Sequence, residues 1–349
     1  MRVVVVGATG NVGTSLLQQL ANDGDVESVV GIARRSPNLE FPKTTWVEAD
    51  IVSSDLVPHF RGADAVVHLA WVIQPSRDLG FLWQVNVEGS TRVFRAVADA
   101  GVRTLVYASS IGAYSRGPKD RTVKEDWPTD GIPTSFYARH KAEVEGRLDV
   151  FERERPDIRT VRLRPGLIFK REAASGIRRL FAGPFLIGAL LRPSLIPFVP
   201  SHPNLRVQAV HSLDVGNAYR LAVKSDARGP FNIAAEPVLD SDEMARVLGA
   251  RLVPLSPRVL RAGATVTWRL HLQPTPPGWV DLAFGVPLLD SSRAREELGW
   301  SPAFSATQAL AELLEALREG AGLDTPVLSP ATGGPLRIRE FLSGVGKRG

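Results

Sequence analysis

The chain has 349 residues, 44% of them hydrophobic and 23% charged, which is enough apolar material for one large α/β body or two smaller domains. The absence of cysteine excludes disulfides, thiolate catalysis and cysteine-ligated metal sites. The net charge of +5 comes from scattered arginines rather than a block of like charge, so nucleic acid is not an expected partner.

The chain opens on "RVVVVGATGNVG", an apolar β-branched run (residues 3–6) leading into glycines at 7, 10 and 13. Val12, Leu16, Leu17 and Leu20 then recur at helical spacing, so the order is strand, tight turn, helix. Gly7 permits the turn, Gly10 lets backbone approach a ligand, and Gly13 lets the helix pack on the strand. Amides at the helix start then form an anion site suited to a pyrophosphate. The spacing is G-x-x-G-x-x-G rather than G-x-G-x-x-G. With "MRVVVVGATG" running directly into a strand, no leader segment is expected and a cytoplasmic protein is.

The second strand lies in "ESVVGIARR" (27–35). An acidic residue at its end would accept from an adenosine 2′-hydroxyl. Ala33 stands there instead, followed by Arg34 and Arg35, which leaves room and charge for a 2′-phosphate. NADP is therefore the preferred cofactor, with NAD as the alternative. "TTWVEADI" places Asp50 at a strand's carboxyl edge, positioned to meet an adenine amino group. "ADAVVHLAW" is a further buried strand ending near Leu69 and Ala70, and a long helix over 78–100 carries Asn86. "RTLVYASS" brings Ser109 and Ser110 to a strand's end. Alternation of this kind predicts a doubly wound, parallel α/β (Rossmann) sheet that binds ligands beyond the strand C-termini. In "SFYARHK" (135–141), Tyr137 and Lys141 leave one face of a helix, one turn apart.

Taken in order, "GATGNVG" (7–13), "HLA" (68–70), "NVEGS" (86–90), "YASSIGAY" (107–114), "YARHK" (137–141) and "RPG" (164–166) resemble the extended short-chain dehydrogenase/reductase family of epimerases, dehydratases and reductases. "VHSLDV" (210–215) and "LGWSP" (298–302) fit the later part of the same pattern, so the resemblance runs to about residue 319. It implies Tyr137 as catalytic acid/base, Lys141 as its lysine and Ser110 as the hydroxyl holding the reacting oxygen. It also implies cofactor contacts at Gly7, Thr9, Gly10, Asn11, Val12, Gly13, Asp50, Ile51, Leu69, Ala70 and Asn86, besides Tyr137 and Lys141. Arg34 and Arg35 join them on the argument above. A free phenol titrates near 10, so a neighbouring ammonium and an oxidised nicotinamide would both favour the phenolate. A homodimer through paired long helices is a further implication of the resemblance.

Departures narrow the reading. Sugar dehydratases set an Asp-Glu pair directly after the catalytic hydroxyl, where this chain has Ile111 and Gly112. Nucleotide-sugar epimerases carry an Asn soon after the sixth strand and an Arg-Asp pair before "H-x-x-D". Here "LRPGLIF" offers Pro165 and Gly166 at the first place, Arg206 falls one position out of step with Gln208 at the place of the Asp, and Arg178, Arg179 and Arg206 stay open as contacts for a diphosphate. The leading expectation is thus an NADP- or NAD-dependent oxidoreductase interconverting a carbonyl and a secondary alcohol, with a cofactor-retaining sugar epimerase as the alternative. A non-catalytic nucleotide sensor or scaffold is less favoured, because both Tyr137 and Lys141 are present.

The apolar segment 169–202 suggests a small, fairly hydrophobic substrate or simple domain packing. Its "LFAGPFLIGALL" (180–191) falls well short of the roughly 20 residues of a membrane span. No metal-ligand cluster emerges, Trp71 and Trp83 receive no role, and His140 reads as solvent-facing helix. The nucleotide-binding domain is expected over 1–168 and about 206–233, and the substrate domain over about 169–205 and 234–319. An extended tail over 320–349 contains "LRIREFL", a segment able to pack on the body or a partner.

Overall fold

A computed structural model describes residues 1–73, 77–181, 198–273 and 275–329. Seven strands form its main sheet: β1 (Arg2–Val6), β2 (Ser28–Ala33), β3 (Thr44–Glu48), β4 (Ala65–His68), β5 (Thr104–Ala108), β6 (Arg159–Pro165) and β7 (Gly229–Ile233). They lie in the order β7-β6-β5-β4-β1-β2-β3, and every neighbouring pair is parallel. The molecule is a doubly wound α/β protein.

Val3 to Val6 of β1 are all but unexposed, because a central parallel strand faces a core on each side. Val3 and Val5 pack with Leu16, Leu17 and Leu20 of α1 (Asn11–Ala21). Val4 and Val6 join the opposite core with Phe94, Tyr107 and, from α2 (Phe136–Glu154), Val144 and Leu148. Burying each such side chain fully contributes roughly 1.5–3 kcal/mol. Beside α1 runs α3 (Ser212–Lys224), where a Cβ on Gly216 would lie 2.8 Å from the Ser15 carbonyl carbon. That missing side chain lets the two helices meet closely enough for the Ser15 and Ser212 hydroxyls to bond at 2.9 Å.

Connections leave β1 toward β2 on one side while β4 lies on the other. The crevice between them opens beyond the strand C-termini. Outside the sheet, short parallel pairs join Leu167–Phe169 to Ala209–His211, Phe198–Ser201 to Arg251–Pro254, and Thr122–Val123 to Leu288–Leu289. The later helices include α4 (Gly278–Gly285) and α5 (Ala306–Glu319). A capping box between Ser305 and Gln308 starts α5, and Gly320, at φ 67°, ends it in the left-handed conformation.

Two expectations need correction. The helix foreseen over 78–100 is not uniform, because a π-helical turn, Gln84–Glu88, interrupts Leu79–Trp83 and Gly89–Asp99. Residues 320–329 are not a loose tail either, since Thr325 and Leu328 are almost fully buried. "LRIREFL" (336–342) and most of the 180–191 segment lie outside the described residues. Among the described residues no helix is long and apolar enough to cross a membrane.

Candidate active site

Gly7 follows β1 with φ 88°, and a Cβ there would lie 2.6 Å from the Ala70 backbone nitrogen. Only glycine lets the first turn cross so close to the end of β4. Its N–H donates to the Ile32 carbonyl, which ties the loop to β2. Gly13 permits the other close approach, since a Cβ would meet the Gly7 and Ala8 carbonyl oxygens at 2.5 and 2.6 Å. At Gly10 an added Cβ would meet only the Gly7 oxygen, at 3.4 Å.

The cleft above this loop is lined by Gly7, Thr9, Gly10, Arg34, Arg35, Asp50, Ile51, Leu69 and Ala70. The sequence singled out all nine, and the fold draws them together from the ends of β1, β2, β3 and β4. Asn11, Val12 and Gly13 form the first turn of α1 beside the cleft, where helix geometry leaves backbone N–H groups without intrahelical acceptors. The Asn11 Oδ1 is buried there without a hydrogen-bond partner. Open glycine backbone, free amides, an orphan polar oxygen and two arginines suit a dinucleotide.

Asn86 is placed differently from the expected cofactor contact. Its side chain is fully buried in the π-helical turn, where Oδ1 accepts from Val72 N (2.8 Å) and Nδ2 donates to Val72 O (3.0 Å). It clamps the strand-β4 loop that carries Leu69, Ala70 and Trp71, and so shapes the cleft without lining it.

Ser110 ends the β5 segment and starts a 3₁₀ turn, its Oγ accepting from Gly112 N at 3.0 Å. Ser110 and Tyr137 both lie against Gly112, where an added Cβ would stand 3.4 Å from Ser110 Oγ. The Tyr137 ring lies on Gly112, where a Cβ would stand 2.7 Å from Cε1. Burial pushes the phenol up to about 12, and the nearby Ser110 hydroxyl works against that rise.

Lys141, one turn beyond Tyr137 on α2, reaches back to the end of β5. Its buried Nζ donates to the Ala108 carbonyl at 2.6 Å and sits 3.5 Å from the centre of the Trp71 ring. Burial holds the amine well below the usual lysine range, opposed by Glu145. Tyr137 is therefore governed by burial and Ser110.

Ser109 is set apart from Ser110 by its partner, donating to buried Glu145 Oε1. Glu145 also accepts from Arg162 (2.7 Å) and Arg164 (2.8 and 3.0 Å). Burial opposes its charge, yet the Arg164 and Arg162 guanidiniums bring the carboxyl down to about 2.

Two tryptophans without an assigned role prove to frame the tyrosine. Trp71 meets the Tyr137 ring edge-on at 6.0 Å, and Trp279, from the first turn of α4, stacks on it at 5.2 Å. Trp71 could have been found from its place two residues past Leu69, at a strand end where ligands bind. Nothing local in the sequence points to Trp279. His140 is not solvent-facing: the Trp83 and Phe136 rings enclose it at 5.3 and 5.8 Å, and burial pushes it down to about 4. The π-helical turn follows directly on Trp83, whose ring covers that face of α2. Among the described residues no group of His, Asp or Glu could hold a metal ion.

Fold, glycine loop and the placing of Ser110 and Tyr137 against Gly112 define a nucleotide-binding α/β enzyme. The chain matches the NAD dependent epimerase/dehydratase family over residues 3–234 and belongs to it. An uncharacterized protein of Mycobacterium tuberculosis is 30% identical over 331 residues, covering 93% of this chain but 31% of its own length. The chain thus spans about a third of that relative. A UDP-glucose 4-epimerase of Mycolicibacterium smegmatis is 28% identical over 338 residues, covering 91% of this chain and 99% of its own. Among solved structures, the Thermus thermophilus UDP-glucose 4-epimerase complex with NAD superposes with TM-score 0.66 at 20% identity, covering 91% of this chain and 99% of that one. The Bacillus cereus UDP-glucuronic acid 4-epimerase with UDP-glucuronic acid and NAD gives 0.65 at 17% identity with the same coverages. At these identities the two structures establish the fold.

Proposed function

We propose that this chain epimerises a secondary alcohol on a small-molecule substrate, with Tyr137 taking and returning the hydroxyl proton. The observation that carries this is the grouping of Ser110 and Tyr137 against Gly112, one helical turn from Lys141, with Trp71 of the cleft wall meeting the Tyr137 ring at 6.0 Å. Its choice over net reduction rests on the family and on the epimerases to which the chain is similar.

A bound nicotinamide dinucleotide supplies the hydride acceptor and donor. Gly7, Thr9, Gly10 and the first turn of α1 hold its phosphates, and Asp50 with Ile51 meets the adenosine. Arg34 and Arg35 favour NADP, while NAD remains accepted. Tyr137 Oη accepts the substrate's hydroxyl proton as the carbonyl forms and gives it back as the alcohol is restored. Ser110 donates to the reacting oxygen as charge develops on it. Lys141 supplies the cation that draws the phenol down from about 12 once its amine leaves the Ala108 carbonyl and takes up a proton. We assign the nucleotide-binding body to 1–168 and about 206–233, and the substrate part to about 169–205 and 234–319.

A second reading, net reduction of a free carbonyl, is favoured by one observation. Arg206 donates to the Lys119 carbonyl, Gln208 pairs with both backbone groups of Leu289, and Pro165 and Gly166 offer no polar side chain. The positions that serve a sugar diphosphate in nucleotide-sugar epimerases are thus engaged or empty here.

The test incubates the purified chain with UDP-glucose, without added dinucleotide, and follows inversion at the sugar by NMR. Inversion supports epimerisation, whereas consumption of added NADPH by carbonyl compounds without inversion gives the second reading. Tyr137→Phe is expected to slow whichever turnover is found by about 10²-fold or more, with dinucleotide affinity held within about threefold. Turnover undiminished in that variant removes Tyr137 from the chemistry.

A further inference from the structure

The dinucleotide cleft has a wall that the sequence assigned to no site and that lies beyond the family match. Pro326 and Val327 line it together with the glycine loop, Arg34, Arg35 and Asp50. They reach it from α5 through a short built segment. After Gly320, Ala321 N donates to Ala316 O, and the Ser175 hydroxyl donates to Ala321 O. Thr325 then caps a single turn: its Oγ1 accepts from Leu328 N (3.1 Å) and its carbonyl from Ser329 N (3.0 Å), with Pro326 at the first position of the turn. Leu323 N donates to Leu328 O and closes the loop. Leu328, 2% exposed, anchors the turn in the body, while Val327 is 41% exposed.

We infer that the 320–329 segment is a fixed apolar strap on the dinucleotide cleft, with Pro326 and Val327 touching the bound dinucleotide and slowing its release. The inference rests on the cofactor reading above. Thr325 and Leu328 hold the turn, so the two lining residues are presented without an ordering cost on binding. A residue pair that adds contact after the ligand has entered acts chiefly on the dissociation rate. Slow release serves an epimerase in particular, whose dinucleotide must stay in place between removal and return of hydrogen at one carbon.

The experiment measures NADH release by stopped-flow fluorescence and NADH affinity by titration, on the full-length chain and on Val327→Asp and Thr325→Ala. Val327→Asp leaves the turn intact and sets a carboxylate against an anionic ligand. Thr325→Ala removes the cap and loosens the turn. Each is expected to speed release about fivefold or more, with the association rate within about twofold. Val266→Ala, on the exposed face of helix Pro257–Arg269, serves as control and should leave both rates unchanged. Release within twofold of the unaltered chain in both variants overturns the strap alone. Tighter binding in either variant overturns it too, by making the segment an obstruction. If the unaltered chain binds neither NADH nor NADPH, the cofactor reading falls and the strap falls with it.

Discussion

Arg34 and Arg35 leave the end of β2 directly after Ala33, which is itself buried against the cleft. Both side chains are exposed, so they cost little to hold and remain available to a doubly charged phosphate. Replacing both in Arg34→Ala/Arg35→Ala is expected to weaken NADP about tenfold or more and to leave NAD within about twofold, read by fluorescence titration. Equal losses for the two dinucleotides would give the arginines a general electrostatic role and end the NADP preference. Their place in the cleft was legible because a strand's end is a fixed position in a doubly wound sheet. Trp279 was not legible for the opposite reason. It stacks on Tyr137 from 142 positions along the chain, and no spacing rule connects α4 to a tyrosine on α2.

Among the elements, Glu145 does the most to hold the candidate site together. It stands two turns beyond Tyr137 on α2, takes Ser109 from the end of β5, and binds Arg162 and Arg164 of β6. Arg164 in turn donates to the Tyr114 hydroxyl, which donates to Asn232 of β7. Helix and three strands are thus tied at the level of Ser110 and Tyr137. Glu145→Gln keeps the shape but removes the negative charge, leaving Arg164 buried without its counter-ion. A loss of about 3 kcal/mol in unfolding free energy is expected by urea denaturation. A loss under about 1 kcal/mol would mean that water or relaxation replaces the pair. The strands and helices that meet here were readable from alternation and periodicity. The buried charges were not, because an arginine in a strand pattern reads as an outward residue until its partner is located. The π-helical turn escaped for a related reason: apolar spacing over 78–100 fits one continuous helix, and the widened turn exists only in the backbone.

For the molecule as a whole, two buried imidazoles set the acid side of stability. His68 lies inside β4 with Nε2 2.9 Å from the Ser90 hydroxyl, and burial, reinforced by Lys141, pushes it down to about 3. His140, enclosed by Trp83 and Phe136, is pushed down to about 4 by burial with Arg139 adding to it. In the unfolded chain both take up a proton near 6.5. Between that value and about 4 the unfolded state therefore binds more protons than the folded one, so stability is complete above pH 6.5 and falls as pH drops below it. Each histidine costs about 2–3 kcal/mol by pH 4.5. Glu145, with a folded value of about 2 against an ordinary 4.5, extends the decline below that pH. Urea unfolding at pH 8, 6.5, 5.5 and 4.5 should show a plateau between the first two and a steep fall across the last two. In His140→Phe the fall between pH 6.5 and 4.5 should shrink by about 2 kcal/mol, since the remaining imidazole then acts alone. An unchanged slope in that variant would mean that His140 is already solvated in the folded chain, and the packing of the π-helical turn's flank against α2 would have to be redrawn.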